Sequence, residues 1–185
     1  MPGPCPKPPE PIEALATARC GVLEVPENRA RPGGRTIRLA VAAIPAASAE
    51  PVQDPVVFMS GGPGGETFDD IPFLVSSGLN RDRELIVMAQ RGNLYDQPNL
   101  ACPELDSFYV QAVGLPAYAP QTGRLMLDAV RRCRDRLTAD GTDLSAYNST
   151  QNAAGDDARL RLHPGPLRPG RQPAGRLPPA APVRR

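Results

Sequence analysis

The chain has 185 residues, of which 24 are proline and 17 are glycine, while aromatic residues make up only 4% and tryptophan is absent. Hydrophobic residues, at 41%, suffice for a packed core and exclude a wholly disordered chain, and the length predicts one domain or at most two. The net charge of +1 gives no argument for nucleic acid or a membrane surface as a partner, and no apolar run approaches the roughly 20 residues that cross a bilayer.

Composition divides the chain into three zones. Residues 1–18 form a proline-rich arm, which is predicted to be extended and not a signal peptide, because proline fixes φ and the arm lacks an apolar stretch. Residues 19–154 are predicted to be globular. Residues 155–185 are predicted to be a disordered basic tail with seven arginines and seven prolines. The tail carries a charge of +5 and the rest −4, so the near-neutral total is a cancellation.

The first two segments of the globular zone predict an antiparallel hairpin. Arg19–Val25 is a short apolar strand, and Thr36–Ile44 alternates with a period of two. The intervening residues 27–34 include Asn, Pro and Gly-Gly, which predict a turn. One face of the second strand is predicted to carry Ile37, Leu39, Val41 and Ala43.

Two later apolar runs predict a parallel sheet. Pro55–Met59 and Glu84–Ala89 do not alternate, which is typical of strands that are covered on both faces. Between them, Phe68–Ser77 has room for a short helix that Pro72 breaks.

Thr122–Ala139 is the clearest predicted helix, and it ends at Gly141. Its apolar stripe consists of Met126, Ala129, Val130, Cys133 and Leu137. A further helix is predicted to be capped by Ser149 or Thr150 and to stop at Gly155. A hairpin followed by strand, loop, strand and helix predicts the opening of an α/β domain.

Four glycines follow the first of the two parallel strands, in the segment Ser60–Gly65. Ligands bind at the carboxyl ends of strands in open α/β sheets, and glycine N–H groups can approach and stabilise an oxyanion there. A glycine-rich surface turn is an equally good interpretation. The segment has neither the Gly-Lys-Ser/Thr of a phosphate loop nor the spacing of a dinucleotide-binding fingerprint.

The second strand is followed by Gln90-Arg91-Gly92. An arginine here can anchor a neighbouring loop through its planar array of donors, although in isolation an exposed turn arginine is the better interpretation.

Four separated motifs occur together in one order: Cys20–Asn28, the Gly-Gly-Pro-Gly-Gly loop, Gln90–Gly92 and Cys102–Glu104. In order and spacing they resemble the α/β-hydrolase peptidases that look like proline iminopeptidases and the tripeptidyl-aminopeptidase-like enzymes of bacteria. The resemblance covers roughly residues 5–154 and implies the amino-terminal portion of an α/β-hydrolase fold. It also implies serine-type hydrolysis of peptide bonds near a free amino terminus, with a peptide substrate and no cofactor.

The resemblance also implies roles for individual residues. Gly61, Gly62 and Gly64 would shape the oxyanion hole, with Gly62 as the best single donor. A structural loop beside the active site would contain Gln90, Arg91 and Gly92. The chain departs from the family pattern at Ser60 and Ala89, where relatives commonly have histidine and aspartate.

The catalytic triad of such an enzyme is missing from the sequence. No Gly-x-Ser-x-Gly elbow is present, and the only histidine, His163, lies in the Arg/Pro-rich tail, where it is interpreted as solvated. The 185-residue chain is therefore predicted to be inactive as a peptidase.

The four cysteines do not form Cys-x-x-Cys pairs, which argues against zinc and leaves three disulfide pairings or four free thiols open. The resemblance to exported enzymes implies the pairs Cys5–Cys20 and Cys102–Cys133, and an extracellular or periplasmic location, although no signal peptide is visible.

Two interpretations of the tail remain open. The chain has 20 arginines and one lysine, which suggests a GC-rich coding sequence whose reading frame changes near Gly155. Alternatively, the chain is a non-catalytic secreted module, stapled by disulfides, whose basic tail binds an anionic partner. The lack of interleaved aromatic residues and of lysine argues against nucleic acid. No oligomeric state is predicted.

Overall fold

The computed structural model describes residues 1–31, 33–61 and 64–161, with residues 156–161 described by their backbone only. The predictions for Gly62 and His163, and for the tail beyond Arg161, lie outside the described residues. The strands are β1 (Arg19–Pro26), β2 (Thr36–Ile44), β3 (Val52–Phe58) and β4 (Arg83–Met88). The α-helices are α1 (Ile71–Ser76), α2 (Pro103–Ala112), α3 (Pro120–Ala139) and α4 (Ser149–Arg161). Short 3-10 helices span Glu13–Ala16, Thr67–Asp70 and Leu144–Ala146.

The four strands form one mixed sheet in the order β1-β2-β4-β3. β1 and β2 are antiparallel, with Leu23 opposite Leu39, and β2 is also antiparallel to β4. β3 and β4 are parallel, with Phe58 opposite Val87. The α/β class, the hairpin and the parallel pair predicted from the sequence are therefore confirmed.

Hydrophobic side chains pack on both faces of the sheet. The alternation predicted for β2 is confirmed, since Ile37, Leu39, Val41 and Ala43 share one face with residues of β1 and β4. On the other face, side chains of β2 and β4 pack against Phe68, Ile71 and Leu74 and against Leu15 from the arm. Packing on both faces is what holds β4 in the centre of the sheet.

β3 is the strand for which the burial prediction is wrong. It lies at the edge of the sheet, and within the predicted run Pro55–Met59 the residues of the strand are only half-buried and Met59 is exposed, at 43% of its full accessibility. An apolar run of this length fits an edge strand as well as a central one, because periodicity does not report how many neighbours a strand has.

Helix boundaries correct two further predictions. Pro72 lies in the first turn of α1 and does not break it, since a first-turn residue has no intrahelical acceptor for the N–H that proline lacks. α4 is capped by Asn148, whose side-chain oxygen accepts a hydrogen bond from the N–H of Gln151 at 3.0 Å, and not by Ser149 or Thr150. α4 also continues through Gly155.

Helices α2 and α3 form a pair that packs chiefly against itself. Cys102 and Cys133 join them in a disulfide with a Cα–Cα distance of 5.4 Å. Arg136 donates two hydrogen bonds to the carboxylate of Glu104, at 2.7 and 3.1 Å. On α3 the predicted stripe holds only in part. Ala129, Cys133 and Leu137 are buried, whereas Met126 and Val130 are exposed.

The proline-rich arm lies against β1. Pro2 and Gly21 form an isolated antiparallel bridge, and the N–H of Gly3 donates to the carbonyl oxygen of Cys20 at 3.0 Å. A Cβ at Gly21 would stand 2.4 Å from the carbonyl oxygen of Met1, so only glycine allows this approach. A disulfide between Cys5 and Cys20 fastens the arm to the sheet.

We predict that the two disulfides stabilise separate parts of the molecule. Replacing Cys102 and Cys133 together by alanine should lower the local stability of α2 and α3 by about 2–4 kcal/mol, because the bridge closes a loop between two helices that pack chiefly against each other and little against the rest of the described chain. Amide hydrogen exchange should accelerate in α2 and α3 and stay unchanged in β2 and β4. The matched control replaces Cys5 and Cys20, and it should accelerate exchange near Gly3 and Val22 instead. Uniform acceleration in both double variants would contradict this separation.

Candidate functional site

The glycine loop, residues 60–65, leaves the carboxyl end of β3 and leads into Thr67–Asp70. Gly64 has a φ of 88°, which favours glycine, and a Cβ at Gly65 would stand 2.5 Å from the carbonyl oxygen of Gly61. The loop therefore folds back on itself. Gly61 is different, because its φ is not in the left-handed region and a Cβ there would meet no atom of the described residues within 4 Å, its chain neighbours aside.

A second segment, residues 89–97, here called the strap, leaves the carboxyl end of the neighbouring strand β4. Gln90 donates a side-chain hydrogen bond to the carbonyl oxygen of Ser60 at 2.7 Å. Asn93 donates one to the carbonyl oxygen of Gly65, also at 2.7 Å. The strap thus holds the glycine loop at both of its ends.

Glu66 adds a third link between the loop and the strap. Its carboxylate accepts one hydrogen bond from the N–H of Leu94 at 3.0 Å and another from the N–H of Phe68 at 3.2 Å. Burial raises the pKa of Glu66, although these N–H groups act in the opposite direction. Nothing in the sequence marks Asn93 or Glu66 as site residues except their position next to the predicted motifs.

The arrangement leaves backbone donors free at the carboxyl edge of the sheet. The carbonyl groups of Ser60 and Gly65 are occupied by side chains of the strap. Within the described ranges, the N–H groups of Gly61 and Gly64 donate to no protein acceptor. Such groups can donate to a negatively charged oxygen. Among the described residues no histidine is present to act as a base for a serine.

Arg91 is buried, with 5% of its accessible surface remaining, so its interpretation as an exposed turn arginine is wrong. Its Nη1 donates to the carbonyl oxygens of Glu27 at 2.7 Å and Ala146 at 3.2 Å. Its backbone N–H donates to the side chain of Asn152 in α4 at 3.2 Å. Arg91 therefore ties together the hairpin turn, the 3-10 helix Leu144–Ala146 and α4.

Gly92 also has a steric role in the strap. Its φ is 90°, and a Cβ there would stand 2.8 Å from Cγ of Leu100. Leu100 in turn donates its N–H to the carbonyl oxygen of Gly92 at 2.8 Å. The structure therefore brings Gln90, Arg91 and Gly92 together beside the glycine loop, each in a different structural contact.

Glu27 and Asn28, which belong to the first motif, form a partly buried polar cluster with Asp143 and Tyr147, in which Glu27 is the buried member. Glu27 accepts hydrogen bonds from the hydroxyl of Tyr147 at 3.0 Å and from the N–H of Asp143 at 3.3 Å. Burial and the neighbouring Glu27 charge raise the pKa of Tyr147. Asn28 donates to Asp143 at 2.8 Å, and this bond lowers the pKa of the Asp143 carboxyl. The cluster fixes the hairpin turn against the segment before α4.

One group of side chains in the described part of the chain has the spacing of metal ligands: Cys102, Glu104 and Cys133. The two sulfur atoms are bonded to each other, and Glu104 is paired with Arg136, which lowers the pKa of the Glu104 carboxyl. A disulfide and a paired carboxylate do not make a metal site.

Comparison with protein-family models and with curated proteins finds no match to this chain. Within the described ranges, no helix combines the length and the hydropathy that a membrane span requires. The bonds Cys5–Cys20 and Cys102–Cys133 are the pairing that the resemblance implies, and they indicate an extracellular or otherwise oxidising compartment.

We predict that Arg91→Met lowers the free energy of unfolding by about 3 kcal/mol, because it leaves buried carbonyl groups without their charged donor. Urea unfolding followed by circular dichroism measures this change. The control is Arg81→Met, since Arg81 is exposed and its guanidinium pairs with the exposed carboxylate of its neighbour Asp82, and it should change stability by less than about 0.5 kcal/mol. If the two substitutions lowered the free energy of unfolding equally, the hydrogen bonds of Arg91 would contribute no more to stability than those of an exposed arginine.

Proposed function

We propose that this chain supplies the oxyanion-binding portion of a serine-type α/β-hydrolase that cleaves peptide bonds near a free amino terminus. The observation that carries the proposal is the glycine loop. Its carbonyl groups are held by Gln90 and Asn93, while the N–H groups of Gly61 and Gly64 donate to no described protein acceptor. Acyl transfer develops negative charge on an oxygen atom, and fixed N–H donors stabilise that charge.

The topology supports the same proposal. The glycine loop and the strap leave the carboxyl ends of two adjacent parallel strands, which is where open α/β sheets bind their ligands. An antiparallel hairpin that leads into a parallel pair is also the opening that the family resemblance implies. Acyl transfer of this kind uses protein groups alone, so no cofactor is required.

The proposal predicts that the 185-residue chain itself has no peptidase activity, because it carries no Gly-x-Ser-x-Gly elbow and its one histidine, His163, stands in the Arg/Pro-rich tail with no elbow serine to serve. Aminoacyl and tripeptidyl chromogenic substrates should not be turned over by the purified chain. Covalent labelling by a serine-reactive fluorophosphonate probe would contradict this prediction.

The missing residues are expected in another reading frame. Translation of the coding DNA in the other two frames beyond the codon for Gly155 should give a Gly-x-Ser-x-Gly segment, followed by an acidic residue and a histidine. A downstream sequence without that segment in either frame would overturn the frameshift hypothesis.

In the frame-corrected protein we predict that Gly61→Ala reduces kcat about 100-fold without loss of stability. The added methyl group meets no atom of the described residues within 4 Å, its chain neighbours aside, so we expect it to obstruct a ligand that approaches the loop. The control is Gly123→Ala on α3, which also has open space. It should leave kcat unchanged and stabilise the helix by about 1 kcal/mol. An unchanged kcat in Gly61→Ala would remove the glycine loop from the reaction.

The two disulfides favour a second candidate, a secreted binding module whose basic tail contacts an anionic partner. This candidate predicts salt-sensitive binding to an acidic polymer such as heparin, lost when residues 162–185 are deleted and α4 is kept intact. Binding that survives the deletion would exclude the tail as the binding element.

A further inference from the structure

The strap is bound to β2 on the side away from its contacts with the glycine loop. Ala89 donates its N–H to the carbonyl oxygen of Ala40 at 2.9 Å, and Arg38 and Gln97 exchange two backbone hydrogen bonds of 2.9 Å each. Between these contacts, the N–H of Ala40 donates to Oδ1 of Asp96 at 2.9 Å. The carboxyl group of Asp96 thus takes the place of a backbone acceptor in the sheet.

The same strap carries the donors that fix the glycine loop. Asn93 and the N–H of Leu94 contact Gly65 and Glu66, and they lie two or three residues before Asp96 in the chain. If the strap is released from β2 at Asp96, the hydrogen bonds that Asn93 and Leu94 donate to Gly65 and Glu66 therefore become weaker.

Asp96 is buried in a setting that favours its neutral form. Only 3% of its surface is accessible, and Oδ2 is buried without a hydrogen-bond partner among the described residues. Burial raises its pKa from the ordinary value of 3.8 to about 7, against the lowering effect of the N–H groups of Ala40, Asn93 and Gly92. The hydrogen bonds from these N–H groups therefore offset only part of the free energy that it costs to bury the ionised carboxylate.

The ionisable groups around Asp96 reinforce this preference. The charge of Glu66 further raises the pKa of Asp96, and the charge of Asp69 raises the pKa of Glu66. On the strap, burial raises the pKa of Tyr95, so its phenol stays neutral. The Arg38 guanidinium on β2 is engaged by Glu24 and Gln97 at the exposed side.

We propose that Asp96 makes the attachment of the glycine loop to the sheet depend on pH, with the strap closed while this carboxyl is neutral and open when it ionises. In the open strap Asp96 reaches water and titrates near its ordinary value. Ionisation therefore favours the open form. The equilibrium constant for opening the strap rises about tenfold for each pH unit between roughly 4 and 7, and it does not change further above that range. This device belongs to the strap and does not require that the chain be part of a peptidase.

Amide hydrogen exchange of the ¹⁵N-labelled 185-residue chain tests the proposal, after correction for the intrinsic dependence of exchange on pH. The protection of the N–H groups of Ala40 and Leu94 should fall about 50-fold between roughly pH 5 and 7. In Asp96→Asn the amide oxygen still accepts from Ala40 but carries no titrating group, so protection should be constant over this range. The control Asp128→Asn, at an exposed site on α3, should behave like the wild type.

Two results would overturn the proposal: constant protection in the wild-type chain, or the same decline in Asp96→Asn. If Asp96→Asn does not fold, a ¹³C titration of the aspartate carboxyl groups in the wild-type chain decides the question. One carboxyl should titrate near pH 7, and titration of every aspartate below about pH 5 would refute the proposal.

Discussion

The fold of the candidate site depends on side chains that satisfy backbone carbonyl groups. A parallel pair of strands ends in loops whose polar groups have no ladder partners, and burying such groups without hydrogen bonds is costly. The strap supplies the missing donors. Gln90 and Asn93 hold the glycine loop, and Arg91 holds the hairpin turn and the 3-10 helix before α4. One short segment thus connects the glycine loop, the hairpin turn, the 3-10 helix and β2, and a change in it reaches the sheet and the glycine loop together.

The strands could be predicted from the sequence because their patterns report burial directly. β2 alternates, with Ile37 and Leu39 on one face, and β4 is apolar from Leu85 to Met88, where both of its faces are covered. Long-range contacts could not be predicted in this way. Arg91 finds its carbonyl partners 64 and 55 residues away, and nothing in Gln-Arg-Gly indicates that they exist. Asp96 resembles a turn residue in the sequence, although its carboxyl group completes the ladder of β2.

Helix α2 escaped prediction for a related reason. Of its hydrophobic residues only Phe108 is buried, whereas Tyr109 and Val110 are exposed, so the sequence carries no clear apolar stripe. The helix is held by Cys102 at its start and by the pairing of Glu104 with Arg136, and not by a continuous apolar face. Hydrophobic periodicity detects burial against a core. It does not detect a helix whose attachment is a covalent bond and an ion pair.

The described glycines of the loop are required for different structural reasons, and this difference is relevant to function. The positive φ of Gly64 and the contact between Gly65 and the carbonyl oxygen of Gly61 explain why residues 64 and 65 are glycine. No described residue explains Gly61, since a Cβ there would meet none of their atoms within 4 Å, its chain neighbours aside, at an ordinary φ. A position that the described residues leave open, beside an N–H group that donates to none of their acceptors, has room for an external group. If a reacting oxygen approaches the backbone closely at this position, a side chain would block it, and that would explain why residue 61 is glycine.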